Sequence, residues 1–203
     1  MAVIDRKRVL ERIAELPRVD LELGCGTTKR TPSHLGVDEL DLPGVDLVGD
    51  VFEVLAAFPD ESVDSVSSFH FFEHVEDLPR LLGDIARVMK PGGALAVVAP
   101  HFSNPYFYSD YTHRRFFGLY TLCYFAKSDL FSRQVPTYGI EPQFELVDVR
   151  LVFKSTRPFY VRHAIKRTLG WFINTSNYTR EFYEENLCYL VPCYEIAYSL
   201  KRI

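Results

Sequence analysis

The sequence predicts an α/β protein built on an open, mostly parallel sheet with a ligand site at the carboxyl ends of its strands. Three observations carry that prediction. The run from Val19 to Leu23 alternates apolar and polar residues and stops at Gly24-Cys25-Gly26, the pattern of a strand entering a tight turn. Two further apolar runs, 34–38 and 45–50, each end on an acid, Asp38 and Asp50. Finally, Leu78, Leu81, Leu82, Ile85, Val88 and Met89 follow helical spacing, and Lys90-Pro91-Gly92-Gly93 then leads into the all-apolar run 94–99, read as a strand buried on both faces. Strands that alternate with helices in this way form parallel sheets.

At 203 residues the chain is expected to be one domain, large enough for a substantial core, and its 47% hydrophobic and 25% charged residues are ordinary for a globular protein. No apolar run approaches the roughly 20 residues of a membrane span. The opening Met-Ala-Val-Ile-Asp-Arg-Lys-Arg has no apolar stretch after its basic residues, unlike a secretory signal. Cys25, Cys123, Cys188 and Cys193 are scattered and form no C-x-x-C pair, so a reducing cytoplasm is the expected compartment. The net charge of −4 is unevenly spread: residues 150–203 hold nine Lys/Arg against four Asp/Glu, and the rest holds 14 against 23. A positive end suits an anionic substrate, a partner or a lipid surface, but is too weakly basic to indicate nucleic acid.

Taken in order, Val3 to Leu16 has apolar residues spaced among charges as in an amphipathic helix, and Pro17 ends it. Strand one and the glycine turn follow. Only eleven residues, including Pro32, separate Gly26 from Asp38, leaving room for little more than one helical turn before strand two at 34–38. Strand three is 45–50. A short helix spans 52–58, a turn 59–62, and strand four 63–69. The helix at 78–89 has Asp77 as N-cap and Pro79 in its first turn. Strand five is 94–99. A segment then begins in which ten of the 24 residues from Phe102 to Phe125 are aromatic, with 119–126 helical. Residues 144–153 alternate as strand six, helices are expected at 158–171 and 179–187, and a last strand near 194–200. Within the domain 1–203, the core covers 17–154, inserted helices about 156–188 and the closing strand about 192–201.

A strand, a glycine turn and an acid at the end of the next strand describe a site for an adenosine-type ligand, since glycines permit close backbone approach and the acid accepts ribose hydroxyl hydrogen bonds. A dinucleotide fingerprint would want a third glycine where Lys29 stands. With Glu22 ahead of Gly24-x-Gly26, with Asp38 and Asp50 beyond, and with Ala86-Arg-Val-Met-Lys-Pro-Gly-Gly93 before strand five, the chain resembles the class I S-adenosylmethionine (SAM)-dependent methyltransferases from about Val19 to Phe102. The shortened connection after Gly26 departs from most of that family.

The resemblance implies a Rossmann-like sheet of order 3-2-1-4-5-7-6, last strand antiparallel, with helices on both faces and an aromatic-rich C-terminal insertion. It implies SAM as cofactor, held by Glu22, Gly24, Cys25, Gly26, Asp38, Asp50 and Val51. Asp50 would bond the adenine amino group, Val51 would offer a backbone donor, and Phe69 would line the methionine end. The implied activity is methyl transfer to an oxygen (or nitrogen) of a small molecule or saccharide. An inert binding subunit of the same fold and an NAD-dependent oxidoreductase are the alternatives.

Such transfer needs an aligned acceptor and, in some cases, a base. His101, directly after strand five, and Asp110 with His113, in the aromatic loop, are the candidates for acceptor handling. These three are also metal-ligand types, but their spacing matches no signature and no metal is expected. Glu73-His74 resembles a pair common in the family, expected to cap and pack, and His70 is a second candidate. Aromatic and basic residues of the insertion, such as Phe159, Trp171, Arg162 and Lys166, leave open a peripheral membrane or lipid-linked acceptor contact.

Overall fold

The computed structural model describes residues 3–203. The strands are β1 (Ile4–Asp5), β2 (Asp20–Leu23), β3 (Leu35–Asp38), β4 (Leu47–Val48), β5 (Val63–Phe69), β6 (Met89–Pro100), β7 (Ala126–Lys127), β8 (Phe144–Val152) and β9 (Glu195–Arg202). The helices are α1 (Val9–Arg12), α2 (Val51–Ala56), α3 (Leu78–Val88), α4 (Tyr160–Ile173) and α5 (Asn177–Asn186).

Among the described residues the strands form one sheet in the order β1-β4-β3-β2-β5-β6-β9-β8-β7. Its central seven reproduce the expected order, and β1 and β7 extend it by one short strand at each edge. The strands β4, β3, β2, β5 and β6 pair in parallel. β9 runs antiparallel between β6 and β8, with Leu95 opposite Leu200 and Leu151 opposite Ile196.

Local chemistry accounts for most boundaries. The Asp77 carboxylate caps α3 by accepting from the Arg80 N–H, and Pro79 occupies the first turn, where no hydrogen bond is lost. The apolar stripe of α3 (Leu78, Leu81, Leu82, Ile85, Val88) is buried in the main core with Val66 of β5 and Leu95 of β6. Each such leucine contributes roughly 1.5–3 kcal/mol of transfer free energy. Ser176 and Thr179 form a capping box that starts α5.

Two expected helices are corrected. Residues 3–16 contain β1, the single turn α1 and a 3-10 turn at Ile13–Glu15 in place of one amphipathic helix. Arg8 stands at φ 51°, the Asp5 side chain accepts from the Lys7 and Leu10 N–H groups, and Ile4 and Asp5 pair with the open edge of β4. Satisfying that edge outweighs a weak helical preference. Residues 119–126 hold only a 3-10 turn, Thr121–Tyr124, before β7, whose Ala126 pairs with Phe144.

The connection from β2 to β3 holds no helix. Side chains pin it instead. The Glu22 carboxylate accepts from the N–H groups of Arg30 (2.8 Å) and Thr31 (3.0 Å). The Lys29 ammonium donates to the His34 carbonyl (2.8 Å) and to Asp46 (2.7 Å), which also accepts from the Gly36 N–H (2.8 Å) and pairs with Lys7. Burial alone would raise the Asp46 pKa, but the hydrogen bonds from Lys29, Lys7 and Gly36 outweigh it and hold the carboxyl below the usual range. No helix among the described residues is long and apolar enough to cross a membrane.

Candidate active site

Three adjoining cavities follow the carboxyl-end side of the sheet. The first, about 680 Å³, lies over the ends of β2, β3 and β4 and is walled by Gly24, Asp38, Asp50, Val51, Phe71 and His74, among others. The second, about 230 Å³, shares His70 and His74 with the first and adds Glu73, Asp110, His113 and Tyr194. The third, about 450 Å³, shares Asn104, Tyr106 and Tyr194 with the second and reaches Lys154, Arg162 and Lys166.

In the first cavity the glycine turn behaves as its composition requires. Gly24 has φ +67°, and a Cβ there would lie 2.5 Å from Phe71. Gly26 has φ +56° and open space where a Cβ would project. Asp38 ties this turn to the loop after β3: one carboxylate oxygen accepts from the Gly26 N–H (2.9 Å) and the other from the Leu40 N–H (3.0 Å). Asp50 caps α2 through Oδ1, which accepts from Phe52 (2.9 Å) and Glu53 (3.3 Å). A carboxylate oxygen carries two lone pairs, so both acids keep acceptor capacity toward the cavity. The volume falls in the usual range for ligand pockets. Two acids and the Gly24 backbone on the cavity wall fit an adenosine ligand bearing ribose hydroxyls, whereas Gly26, tied to Asp38, is not itself part of that wall.

Of the expected cofactor residues, Gly24, Asp38, Asp50 and Val51 wall this cavity. Glu22 does not, because both carboxylate oxygens hold the Arg30 and Thr31 backbone. Cys25 turns into a small apolar cluster with Val45 and Val48, and burial followed by the nearby Asp38 pushes its thiol up to about 11. It is therefore a neutral packing group. Phe69 packs under the Arg30 guanidinium (5.7 Å) rather than on the cavity, and Phe71 takes the wall position.

The acceptor candidates separate. His101 is fully buried outside all three cavities: Nδ1 pairs with Ser103 Oγ (2.8 Å) and Nε2 with Glu184 of α5 (3.1 Å). Its position after a strand end is as expected, but the ring fastens α5 to the sheet and cannot reach an acceptor. Asp110 and His113 do meet, with Oδ2 and Nε2 3.6 Å apart on the second cavity. The His113 Nδ1–H donates to the Phe107 carbonyl (2.9 Å), and the ring lies 4.8 Å from that of Phe107.

Sequence reasoning underrated the neighbours of this pair. His74 stacks edge-on against His113 (4.9 Å between ring centres). His70, held at φ 58°, donates through Nε2 to Glu195 (2.8 Å) and has Nδ1 3.4 Å from Glu73. The hydrogen bond to Glu195, followed by the nearby Glu73 carboxylate, raises its pKa to about 9, so at neutral pH it is an imidazolium and a poor base. Glu73 is fully buried, yet neither carboxylate oxygen has a hydrogen-bond partner among the described residues. Buried carboxylates left unpaired cost several kcal/mol. The only sequence signal was the density of His and Glu in 70–74, because His113 arrives through a loop fixed by the Arg114 and Arg115 N–H groups on the Glu73 carbonyl.

A family model described as a methyltransferase domain matches residues 35–97, which run from β3 into β6. A SAM-dependent methyltransferase of Archaeoglobus fulgidus superposes with a TM-score of 0.59 at 21% identity, covering 97% of this chain and 94% of that one. The chain has the fold of the class I SAM-dependent methyltransferases. SAM is the cofactor of that family, and two further neighbours were determined with it. One is a 16S rRNA adenine N1-methyltransferase of Catenulisporales acidiphilia (TM-score 0.54, 14% identity, 98% of this chain and 92% of that). The other is phosphoethanolamine N-methyltransferase 2 of Haemonchus contortus (0.51, 16%, 96% and 51%). No curated protein sequence matches the chain.

Proposed function

We propose that this protein transfers a methyl group from SAM to an oxygen (or nitrogen) of a small molecule or saccharide held in the second cavity. The observation that carries the proposal is that a cofactor-sized cavity at the glycine turn and a polar cavity at Asp110 and His113 share the walls His70 and His74. Bound in the first cavity, SAM supplies an electrophilic methyl group.

The chain's own residues then have these roles. Asp38 accepts from the ribose hydroxyls, Asp50 from the adenine amino group, and the Val51 backbone faces the ring. His113, with Nδ1–H committed to Phe107, presents Nε2 to take the acceptor's proton, and Asp110 at 3.6 Å stabilises the resulting imidazolium. Hydrogen bonds from Thr112 lower the Asp110 pKa, so it stays a carboxylate. His70, bonded at both nitrogens' reach to Glu195 and Glu73, positions the wall rather than moving a proton.

The third cavity supports an acceptor with an anionic group. Lys154 is paired with Glu195, whereas Lys166 is lowered by burial and then by neighbouring Arg162, a repulsion that an anion would relieve. The NAD alternative is disfavoured because Lys29, bound to Asp46, fills the place of a third glycine. Calorimetric titration with SAM and S-adenosylhomocysteine tests the reading. Micromolar binding supports it, and absence of binding of either ligand would overturn it in favour of a non-catalytic subunit. Transfer of labelled methyl to a panel of anionic alcohols and saccharides then identifies the acceptor.

A further inference from the structure

We propose that Glu73, His74 and His113 form a site for a divalent transition-metal ion at the junction of the first two cavities. One ligand atom from each lies within 4.8 Å of the other two, and each histidine Nε2 is 4.0 Å from Glu73 Oε1. The tautomers sharpen the geometry. The Thr112 hydroxyl donates to the acceptor-only Asp110 carboxylate (2.6 Å), so its oxygen accepts from the His74 Nδ1–H (2.9 Å). The His113 Nδ1–H is committed to the Phe107 carbonyl (2.9 Å). In both neutral rings the lone pair is therefore on Nε2, and both nitrogens face the Glu73 carboxylate, which makes no hydrogen bond among the described residues and has the His70 Nδ1 3.4 Å away on its other side.

Three lone-pair donors converging on one point repel each other, a repulsion that the nearby His70 eases only at Glu73 and that a cation between them would remove. Donor atoms about 2.1 Å from a tetrahedral cation lie about 3.4 Å apart, so closure needs about 0.6 Å on each Glu73–histidine pair and up to about 1.4 Å between the two histidines, within reach of side-chain rotation. Orientation of a metal-binding histidine by a carbonyl or a carboxylate-linked hydroxyl on its other nitrogen is the usual support of such sites. Two imidazoles and a carboxylate suit zinc, iron(II), cobalt(II) or manganese(II), and leave positions open. The open side faces the second cavity, where Asp110 stands 3.6 Å from His113 Nε2. There an oxygen of the acceptor, or water, would complete the coordination. His113 would then act as a ligand, and the cation would lower the pKa of the bound hydroxyl in its place.

The test uses chelator-stripped full-length protein titrated calorimetrically with Zn²⁺ and with Co²⁺, the latter also followed by its visible absorption. The proposal expects one ion per chain at micromolar affinity or tighter and a Co²⁺ spectrum of nitrogen and oxygen ligation. Affinity should fall at least 100-fold in Glu73→Gln and His113→Asn, and about tenfold in Thr112→Val, which removes no ligand but frees the His74 ring and breaks the hydroxyl's bond to Asp110. His163→Asn, a remote histidine bonded to the Ser155 backbone, should bind as wild type does. Circular dichroism checks folding; should Glu73→Gln fail to fold, the His113 and Thr112 variants decide. Absence of saturable one-to-one binding by wild type, or equal binding by the folded variants, overturns the assignment. No arm uses SAM, so the outcome is independent of the methyl-transfer reading.

Discussion

Replacing Asp38 by alanine separates the two tasks assigned to this side chain. Within the protein it accepts from the Gly26 and Leu40 N–H groups at 2.9 and 3.0 Å. Each such bond contributes on the order of 1 kcal/mol, so Asp38→Ala should cost about 2 kcal/mol of stability. For a chain of this length that is a fall in Tm of about 4–8 °C. Toward the cofactor, the lost partners are hydrogen bonds to an ionised acceptor, about 1.5–3 kcal/mol, or roughly 10- to 150-fold in Kd. Calorimetry with S-adenosylhomocysteine, run well below the variant's Tm, reads the second effect apart from the first. Asp38→Asn should fall between, because the amide keeps one acceptor and sets an NH₂ against an N–H donor. Should folded Asp38→Ala bind within twofold of wild type, the ribose assignment fails, and with it the orientation of the cofactor in the first cavity.

Other expectations are as direct. Gly24→Ala combines φ +67° with a Cβ 2.5 Å from Phe71, so SAM affinity and Tm should both drop, and adding Phe71→Ala should restore part of each. His101→Ala should destabilise by about 2–3 kcal/mol by leaving Glu184 and Ser103 without their buried partner, while turnover per folded molecule, measured in a methyl-transfer assay, stays near wild type. A large loss of turnover in folded His101→Ala would return it to the site. The Asp46 pKa is lower folded than unfolded, so its contribution is present above about pH 4 and is lost as pH falls through the folded value. Asp46→Ala should therefore flatten the acid side of a denaturation-versus-pH curve, and an unchanged slope would remove Asp46 from the account.

What was legible in the sequence was what local chemistry decides. The Asp77 cap of α3 and the glycine turn depend on residues close in the chain, and each stands where its pattern put it, whereas the order of the central strands followed from the family resemblance alone. The N-terminal segment was not legible, because β1 exists only by pairing with β4, more than forty residues away. His101 misled for a related reason: adjacency to a strand end says nothing of which way the ring turns, and Glu184, 83 residues later, decides that. Glu73, His74 and His113 converge for the same kind of reason, through backbone hydrogen bonds that bring residues 113–115 back over the turn at Phe72–His74.

The placing of the cavities side by side, joined only at His70 and His74, bears on the order of events during turnover. A cofactor buried beneath its acceptor must enter first and leave last. Under the proposed assignment, cofactor and acceptor occupy adjoining cavities rather than one above the other, so neither need wait for the other. Initial-rate kinetics should then show random addition, with S-adenosylhomocysteine competing against SAM alone.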